Sequence, residues 1–376
     1  MSPRKKDGLR LQEENMTPIR RAACGKMLFA MLAGAALFAN LAHPARAEEA
    51  TQEKELVFGG FGGSLQKALQ STVIPAFEKK YGVRVIYVTG TSNQILAKVK
   101  TQKNRPQIDV IWANDTTHYQ GKAEGLFAKI NPTKVPNLAY LYEFAKDPDG
   151  IGVVMGIQSL GIQYNTEVFK QKGWSPPTSW ADLWDEKYKG HVVAYNMPIG
   201  YTNLVLSKVA ALNGGSNEQL EPAWAKFKAL IPHALAFVDP PAQIDALFGT
   251  GSAWIGFNGS ARVADLANQG APVALILPKE GGILYPQQFD IVKDAPHPEL
   301  AQKFIDFTLS PESQRQIAEA MLLGPVNKTV TLDPAVAAKV PYGAEQVEKL
   351  EHLDISAINK DLQALTSRWT AMVGGR

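Results

Sequence analysis

The chain has 376 residues, of which 45% are hydrophobic and 20% charged. Its length allows two or three domains with sizeable cores, since a domain usually has ~100–200 residues. The 31 glycines and 24 prolines are too few and too scattered for a disordered or collagen-like chain. The net charge of +3 comes from residues 1–47, which hold 8 of the 39 basic and 3 of the 36 acidic residues, so the remainder carries 31 against 33, or −2. That balance does not favour a nucleic-acid-binding protein.

Residues 1–47 are predicted to be a cleavable signal peptide. A basic stretch ends at Lys26, an apolar run extends from Met27 to Ala42, and Ala45-Arg46-Ala47 is a cleavage site of the A-x-A type. The apolar run is shorter than the ~20 residues of a membrane-spanning helix, which disfavours an uncleaved anchor. The mature chain is therefore expected to begin at Glu48, whether translation starts at Met1 or at Met16.

The single cysteine, Cys24, precedes the apolar run, whereas the cysteine of a lipoprotein would follow it. No lipid anchor is therefore expected. The mature chain has no cysteine, which excludes disulfides, thiolate nucleophiles and cysteine-ligated metals. Small residues follow the Arg20-Arg21 pair, so the general secretory route is favoured over the twin-arginine route. An exported chain without a lipid is expected in the periplasm of a double-membraned bacterium.

Short apolar runs alternate with amphipathic stretches along the mature chain. The predicted strands are Glu55 to Phe58, Val83 to Val88, Asp109 to Ala113, Ser159 to Tyr164, His191 to Ala194 and Ala253 to Phe257. The predicted helices are Ser64 to Gly82 with a kink near Pro75, Gln94 to Thr101, Trp180 to Tyr188, Asn203 to Leu212 and Arg262 to Asn268. This alternation predicts an α/β fold with mostly parallel sheets flanked by helices.

The pattern restarts near residue 159, which predicts two lobes. Lobe 1 is expected to comprise residues 48–158 and 287–328, and lobe 2 residues 159–286 and 329–376. Strands that cross between such lobes would enclose a ligand cleft at a hinge. No internal repeat or long linker is visible, so the lobes are expected to be packed and hinged rather than tethered.

No segment has the spacing of a common catalytic or metal motif. There is no G-x-S-x-G, and the turn from Gly59 to Ser64 lacks the lysine of a P-loop and the spacing of a dinucleotide fingerprint. The histidines of the mature chain are isolated from one another and are expected at the surface. They are His118, His191, His233, His297 and His352. The sequence therefore predicts neither an enzyme nor a cofactor or metal site.

Two segments suit ligand binding without catalysis. In Phe61-Gly62-Gly63-Ser64, backbone N–H groups at a helix N-terminus would suit a carboxylate, with Phe61 as an apolar wall. A tight turn without a ligand is the alternative. Asn114 and Asp115 follow a buried strand, where open α/β sheets hold their ligands. Asp115 is equally compatible with the N-cap of the next helix.

Several later segments resemble the periplasmic spermidine/putrescine-binding proteins of ABC importers. They are Thr178-Ser179-Trp180-Ala181-Asp182-Leu183-Trp184 with Tyr188-Lys189-Gly190, Phe257-Asn258-Gly259-Ser260-Ala261, Pro278-Lys279-Glu280-Gly281-Gly282-Ile283, Ser310-Pro311-Glu312 and Gly324-Pro325-Val326-Asn327. The similarity extends from Glu55 to Asn327. It implies a type II periplasmic binding protein, a small-molecule ligand, an inner-membrane ABC permease and ATPase complex as partner, and a monomer.

The resemblance also implies which residues line the cleft. Phe257 and Tyr285 stand at aromatic positions of the family and are expected to form opposing walls, with Asn258 and Tyr201 beside them. At Gln287 the family has an aspartate that pairs with an amine. Acidic residues expected near residues 198–202 are also missing. The aromatic part of a polyamine site is thus kept, whereas its charges are not.

These departures decide which solute fits. A buried ammonium without a carboxylate costs several kcal/mol, whereas a neutral hydrogen bond from Gln287 contributes only about 1 kcal/mol. A smaller polar solute, or a zwitterion with its carboxylate on the Gly62-Gly63-Ser64 amides, fits better than a polycation. The sequence therefore predicts a binding protein of an ABC importer for a small polar organic solute, such as a polyamine-related amine or an amino-acid-like zwitterion.

Two alternatives share this fold. The first is a protein that binds ferric iron, another anion or a metal complex. Iron-binding relatives use neighbouring tyrosines, and Tyr195, Tyr201 and Tyr285 are not expected to form such a pair. The second and more distant alternative is an enzyme on a two-lobe fold.

Overall fold

A computed structural model describes residues 54–197, 200–239, 242–353 and 356–374. The predicted signal peptide, Cys24 and the expected new N-terminus at Glu48 lie outside the described residues. In the described ranges, none of the helices combines the length and hydropathy that a bilayer crossing requires.

The described chain alternates strands and helices, as predicted. The strands are β1 (Glu55–Gly60), β2 (Arg84–Thr89), β3 (Val110–Asn114), β4 (Phe127–Ala128), β5 (Val153–Asn165), β6 (Val192–Tyr195), β7 (Ala234–Val238), β8 (Ile255–Gly259), β9 (Val273–Ile276) and β10 (Ile283–Val292). The helices are α1 (Ser64–Ser71), α2 (Val73–Tyr81), α3 (Ser92–Thr101), α4 (Asp115–Ala123), α5 (Thr166–Gln171), α6 (Gly200–Leu212), α7 (Glu221–Leu230), α8 (Ala242–Gly249), α9 (Ser260–Asn268), α10 (Pro298–Leu309), α11 (Pro311–Met321), α12 (Pro334–Ala337), α13 (Ala344–Glu348), α14 (Ser356–Lys360) and α15 (Leu362–Gly374).

Two predicted helices differ in detail from the observed ones. The helix that begins at Ser64 does not merely kink but breaks at Thr72, because Pro75 has no N–H to continue the hydrogen bonds of α1 into α2. It ends at Gly82 as predicted, with φ of 67°. The stretch from Trp180 to Tyr188 forms two 3₁₀ helices, Trp180–Trp184 and Glu186–Tyr188, instead of one α-helix.

The strands form one mixed sheet in the order β2-β1-β3-β10-β5-β8-β6-β7, with β4 beside β10 and β9 beside β5. β1 is parallel to β2 and β3, and β6 is parallel to β7 and β8. The long strands β10 and β5 are antiparallel to each other and to their other neighbours. The α/β class is confirmed, while the expected mostly parallel pairing is restricted to the two ends of the sheet.

Buried hydrophobic side chains form two large clusters on either side of the β5–β10 pair. One cluster holds most buried residues of 56–157 and 289–350, and the other holds those of 160–283 and 353–369. We call residues 54–157 and 289–350 the first region and residues 160–283 and 353–374 the second region; the short segments between them are the crossing segments. Val347 and Leu350 pack in the first cluster, although residues 329–376 were assigned to lobe 2. The division into hinged lobes stays a prediction, since residues 54–374 belong to one compact unit.

Candidate ligand-binding cleft

A cleft of about 710 Å³ is lined by both regions and by the crossing segments. The first region contributes Phe61, Gly62, Leu65, residues 89–94 and Asn114; the second contributes Gly200, Tyr201, Asp239 and Arg262; the crossing segments contribute Gln158, Tyr285 and Gln287. Another cavity of about 410 Å³, beside α9 and β9, is lined mainly by aliphatic side chains. The cleft combines aromatic rings with convergent polar groups, which is the usual composition of a site for a small polar ligand.

The cleft brings together six of the eleven residues predicted to bind the ligand. These six are Phe61, Gly62, Asn114, Tyr201, Tyr285 and Gln287. The other five are not part of its lining: Gly63, Ser64, Asp115, Phe257 and Asn258. The lining therefore draws on the predicted glycine turn, the end of β3, Tyr201 and β10, but not on Phe257 and Asn258 of β8.

Phe257 and Asn258 lie in the core of the second region. Phe257 is 1% exposed and packs on Tyr195, with ring centroids 6.0 Å apart. Asn258 is fully buried, where it accepts a hydrogen bond from the Tyr195 hydroxyl at 2.9 Å and donates one to Gln163 Oε1 at 2.8 Å. The expected pair of opposing walls, Phe257 and Tyr285, is therefore not found, because β8 is covered on both faces.

Of the glycine turn, only Phe61 and Gly62 line the cleft. A Cβ on Gly62 would lie 2.8 Å from Thr89 Cγ2, so a larger residue at this position would force the Thr89 side chain to move. Gly63 has φ of 73° and precedes α1, and both Gly63 and Ser64 are exposed outside the lining. Their expected role as the carboxylate site stays a prediction without a contact to support it.

The start of α4 differs from its prediction by one residue. Asn114 is the N-cap, and its Oδ1 accepts a hydrogen bond from Thr117 N at 2.9 Å. Asp115 is the first residue of the helix and is 2% exposed. Asn114 thus lines the cleft from the end of β3, whereas Asp115 is buried outside the lining.

Three tyrosines are neighbours in space, although one of them, Tyr285, is far from the other two in sequence. The rings of Tyr201 and Tyr285 have centroids 4.7 Å apart, and those of Tyr195 and Tyr201 are 5.4 Å apart. The expectation that these tyrosines do not pair is therefore wrong. Burial raises the pKa of all three hydroxyls above the usual value. Among the described residues there is no cluster of three metal-binding His, Cys, Asp or Glu side chains.

Gln287 takes the place predicted for it on β10, on the same face of the strand as Tyr285. The irregularity in the pairing of β10 with β5 falls after it, between Gln287 and Gln288, so it does not turn Gln287 away from the cleft. Its Oε1 accepts a hydrogen bond from the indole Nε1 of Trp112 at 2.9 Å. Trp112 in turn packs edge-on against Phe61, with centroids 5.0 Å apart.

Sequence reasoning missed two charged residues of the cleft lining, Asp239 and Arg262, and Arg262 is the cation among them. It lies in the first turn of α9, and its Nη1 is 2.5 Å from Oδ2 of Asp245. Burial would lower the pKa of Arg262, but the nearby Tyr195 and Asp245 raise it above the usual value, so the guanidinium stays charged. Burial raises the pKa of Asp245 in spite of this partner. The signal was available, since Arg262 follows the Phe257-Asn258-Gly259-Ser260-Ala261 string at the end of a predicted strand.

The first-region side of the cleft is polar but uncharged. It is formed largely by residues 89–94, which comprise the end of β2, the short connection at residues 90–91 and the first turn of α3. Thr91 and Gln94 fix this connection through reciprocal hydrogen bonds: Gln94 N donates to Thr91 Oγ1 at 3.3 Å, and Thr91 N donates to Gln94 Oε1 at 2.9 Å.

Comparison with known proteins agrees with this architecture. Residues 72–343 match the family of bacterial extracellular solute-binding proteins. The chain belongs to this family. The solute-binding protein is 32% identical over 268 residues to the spermidine/putrescine-binding periplasmic protein of Escherichia coli. The alignment covers 66% of this chain and 72% of that protein. It is 26% identical over 318 residues to the gamma-aminobutyric acid-binding protein of Pseudomonas aeruginosa, covering 81% and 86% of the two chains.

The fold of the solute-binding protein is also that of solved structures. An ABC transporter substrate-binding protein from Bradyrhizobium japonicum superposes with a TM-score of 0.73 and 23% identity, covering 85% of this chain and 99% of the other. The type II periplasmic-binding-protein fold expected from the sequence is therefore confirmed.

Proposed function

We propose that this solute-binding protein serves an ABC importer and captures a small zwitterion whose carboxylate binds Arg262. The carrying observation is a permanent cation in the cleft lining. The guanidinium has five N–H donors, and among the described residues its hydrogen bonding is limited to the Nη1 contact with Asp245. Donors therefore remain for a bidentate contact with a ligand carboxylate.

The cleft is less suited to a polycation. Asp239, which is exposed, is the one acidic residue in the described lining, and Arg262 would repel a second ammonium group. A solute with one ammonium and one carboxylate matches one Asp and one Arg. Its aliphatic part would pack on the rings of Tyr201 and Tyr285. One of the two relatives supports this choice, because it is named for γ-aminobutyric acid, which has these two groups at the ends of a short chain, whereas the other is named for polyamines.

The proposed cycle follows from the two regions that line the cleft. The solute bridges them and selects a closed state, which a permease in the inner membrane would recognise. In this proposal the mature protein starts at Glu48, carries no lipid and acts in the periplasm as a monomer without catalysing a reaction.

Two solutes of equal chain length test the proposal. 4-Aminobutanoate and putrescine share a four-carbon chain with an amine at one end, and differ in whether the other end is a carboxylate or an amine. Calorimetric titration of both into the mature protein is expected to give tighter binding of 4-aminobutanoate. A thermal-shift panel of α- and ω-amino acids then ranks the class, since a ligand at 100 times its Kd stabilises a protein by about 2.7 kcal/mol.

The opposite order of affinity, with putrescine or spermidine bound more tightly than any carboxylate-bearing solute, would show that the proposal is wrong. Recovery of each solute unchanged after overnight incubation is expected. A converted solute would instead support the enzyme alternative.

A further inference from the structure

We propose that Trp112 is a positioning residue that sets the specificity of the cleft by fixing the direction of the Gln287 amide. The inference rests on the proposed function for the nature of the solute, but its geometric part concerns the empty protein. Trp112 is 1% exposed and does not belong to the cleft lining, so it acts through Gln287, which does.

The chemistry of the indole decides which end of the amide faces which way. An indole N–H donates a hydrogen bond and cannot accept one, so the atom of Gln287 at 2.9 Å from Trp112 Nε1 must be the oxygen. The amide nitrogen of Gln287 is then the end that is not bonded to Trp112. One of its two N–H groups reaches the Pro286 carbonyl at 3.3 Å, a long contact, and the second is available to the cleft.

The surroundings keep this arrangement in place. Gln287 is 3% exposed on β10, a strand that is paired on both sides. The Trp112 ring is held edge-on between Phe61, at 5.0 Å, and Phe289, at 6.2 Å. Turning the amide over would bring its NH₂ against the indole N–H and leave two buried donors without an acceptor, which is costly.

The consequence is a site that offers a donor where the polyamine-binding relatives are expected to offer a carboxylate. Gln287 can then pair with a carboxylate or carbonyl oxygen of the solute but not with an ammonium group. Like Arg262, Gln287 then offers hydrogen-bond donors to the cleft, and the two residues together favour a solute with acceptor atoms. Without the indole N–H, the amide could turn and present its oxygen to an amine.

The first experiment examines the empty protein by ¹H–¹⁵N NMR. The Trp112 indole resonance is assigned by its loss in Trp112→Phe. In Gln287→Glu the acceptor becomes a carboxylate oxygen, so the Trp112 indole proton is expected to shift downfield. Trp112→Phe is expected to move the side-chain NH₂ resonances of Gln287. An unmoved indole proton in Gln287→Glu, or unmoved Gln287 resonances in Trp112→Phe, overturns the proposal.

The second experiment measures the ratio of Kd values for putrescine and 4-aminobutanoate. Trp112→Phe is expected to reduce the preference for 4-aminobutanoate by at least about fivefold, the worth of one net hydrogen bond. Trp369→Phe is the matched control. Trp369 is also 1% exposed and donates its indole N–H to an amide oxygen, Oδ1 of Asn196 at 3.0 Å, but in α15 outside the cleft lining. It should leave the ratio unchanged.

The outcomes separate the two proposals. An unchanged ratio in Trp112→Phe, or the same change in Trp369→Phe, overturns the role of Trp112. A wild-type preference for putrescine contradicts the proposed function, while the NMR result still tests the hydrogen bond between Trp112 and Gln287. If neither probe binds, or if Trp112→Phe does not fold, an unmoved indole proton in Gln287→Glu still overturns the inference, because the hydrogen bond on which it depends would then be absent.

Discussion

Each region of the molecule contains a partly or fully buried ionic group, and the two groups differ in what they face. In the first region, His118 Nδ1 is 2.7 Å from Asp290 Oδ1, and both side chains are at most 2% exposed. In the second region, Arg262 pairs with Asp245 at 2.5 Å, but the side chains are 35% and 25% exposed. The His118–Asp290 pair is buried in the core, whereas the Arg262–Asp245 pair lies at the cleft.

This difference assigns the two groups different roles. A sealed pair contributes to the fold, and losing one partner leaves the other as an uncompensated buried charge. A partly exposed pair contributes little to stability, because water screens it, but its cation can reach a ligand. The following predictions test this division between a structural ion pair and a ligand-binding one.

The largest effect is expected from His118→Leu, which should lower the free energy of unfolding by about 3–5 kcal/mol. The reason is that Asp290, with 0% exposure and an Oδ2 that has no hydrogen-bond partner among the described residues, would lose its buried partner. Urea denaturation measures the loss. Arg315→Gln, which breaks exposed contacts on α11, is the control and should change stability little. A similarly small change for His118→Leu would contradict a structural role.

The same pair gives a pH dependence. Burial lowers the pKa of His118, but Asp290 and Asp147 outweigh burial and raise it to about 10. Because the folded value lies above the unfolded one of 6.5, the stability that His118 contributes is complete below pH 6.5 and is lost as the pH rises towards 10. Urea midpoints at pH 6.5 and pH 9.5 measure this loss, which should be smaller in His118→Leu. Equal losses in the two proteins would exclude His118 as the cause.

Arg262→Gln should give the reverse pattern, with a loss of affinity and little loss of stability. Hydrogen bonds to charged groups are worth about 1.5–3 kcal/mol, so the Kd for a carboxylate-bearing solute should rise by about 10- to 150-fold. Calorimetry measures the Kd, and the melting temperature reports stability. A lower melting temperature with unchanged Kd would place Arg262 in the same class as His118.

The fold was predictable because its signals are local. Pro75 breaks a helix and Gly82 ends one whatever lies around them, and the alternation of strands and helices persists along the chain. The buried state of His118 was not predictable, because its partner Asp290 is 172 residues away and no local pattern joins them. The surface position expected for His118 is accordingly wrong.

The site was predictable to the level of segments and less so to that of residues. Tyr285 and Phe257 lie on strands that are buried along their whole length, so no alternation shows which face each residue takes. The register of each strand with β5 decides which face each side chain takes. Tyr285 lies opposite Gln158, which also lines the cleft, whereas Phe257 lies opposite Ile162 in the core.

The smallest effects come from the two aromatic residues that sequence reasoning paired. Tyr285→Leu should weaken solute binding by about 0.5–1.5 kcal/mol, because it removes a ring that packs on Tyr201 in the cleft. Phe257→Leu should instead lower stability by less than about 1.5 kcal/mol and leave the Kd unchanged, since Phe257 packs on Tyr195 away from the lining. Calorimetry and urea denaturation on both variants separate the two effects. A loss of affinity in Phe257→Leu as large as that in Tyr285→Leu would mean that the core of the second region, and not only its cleft surface, controls binding.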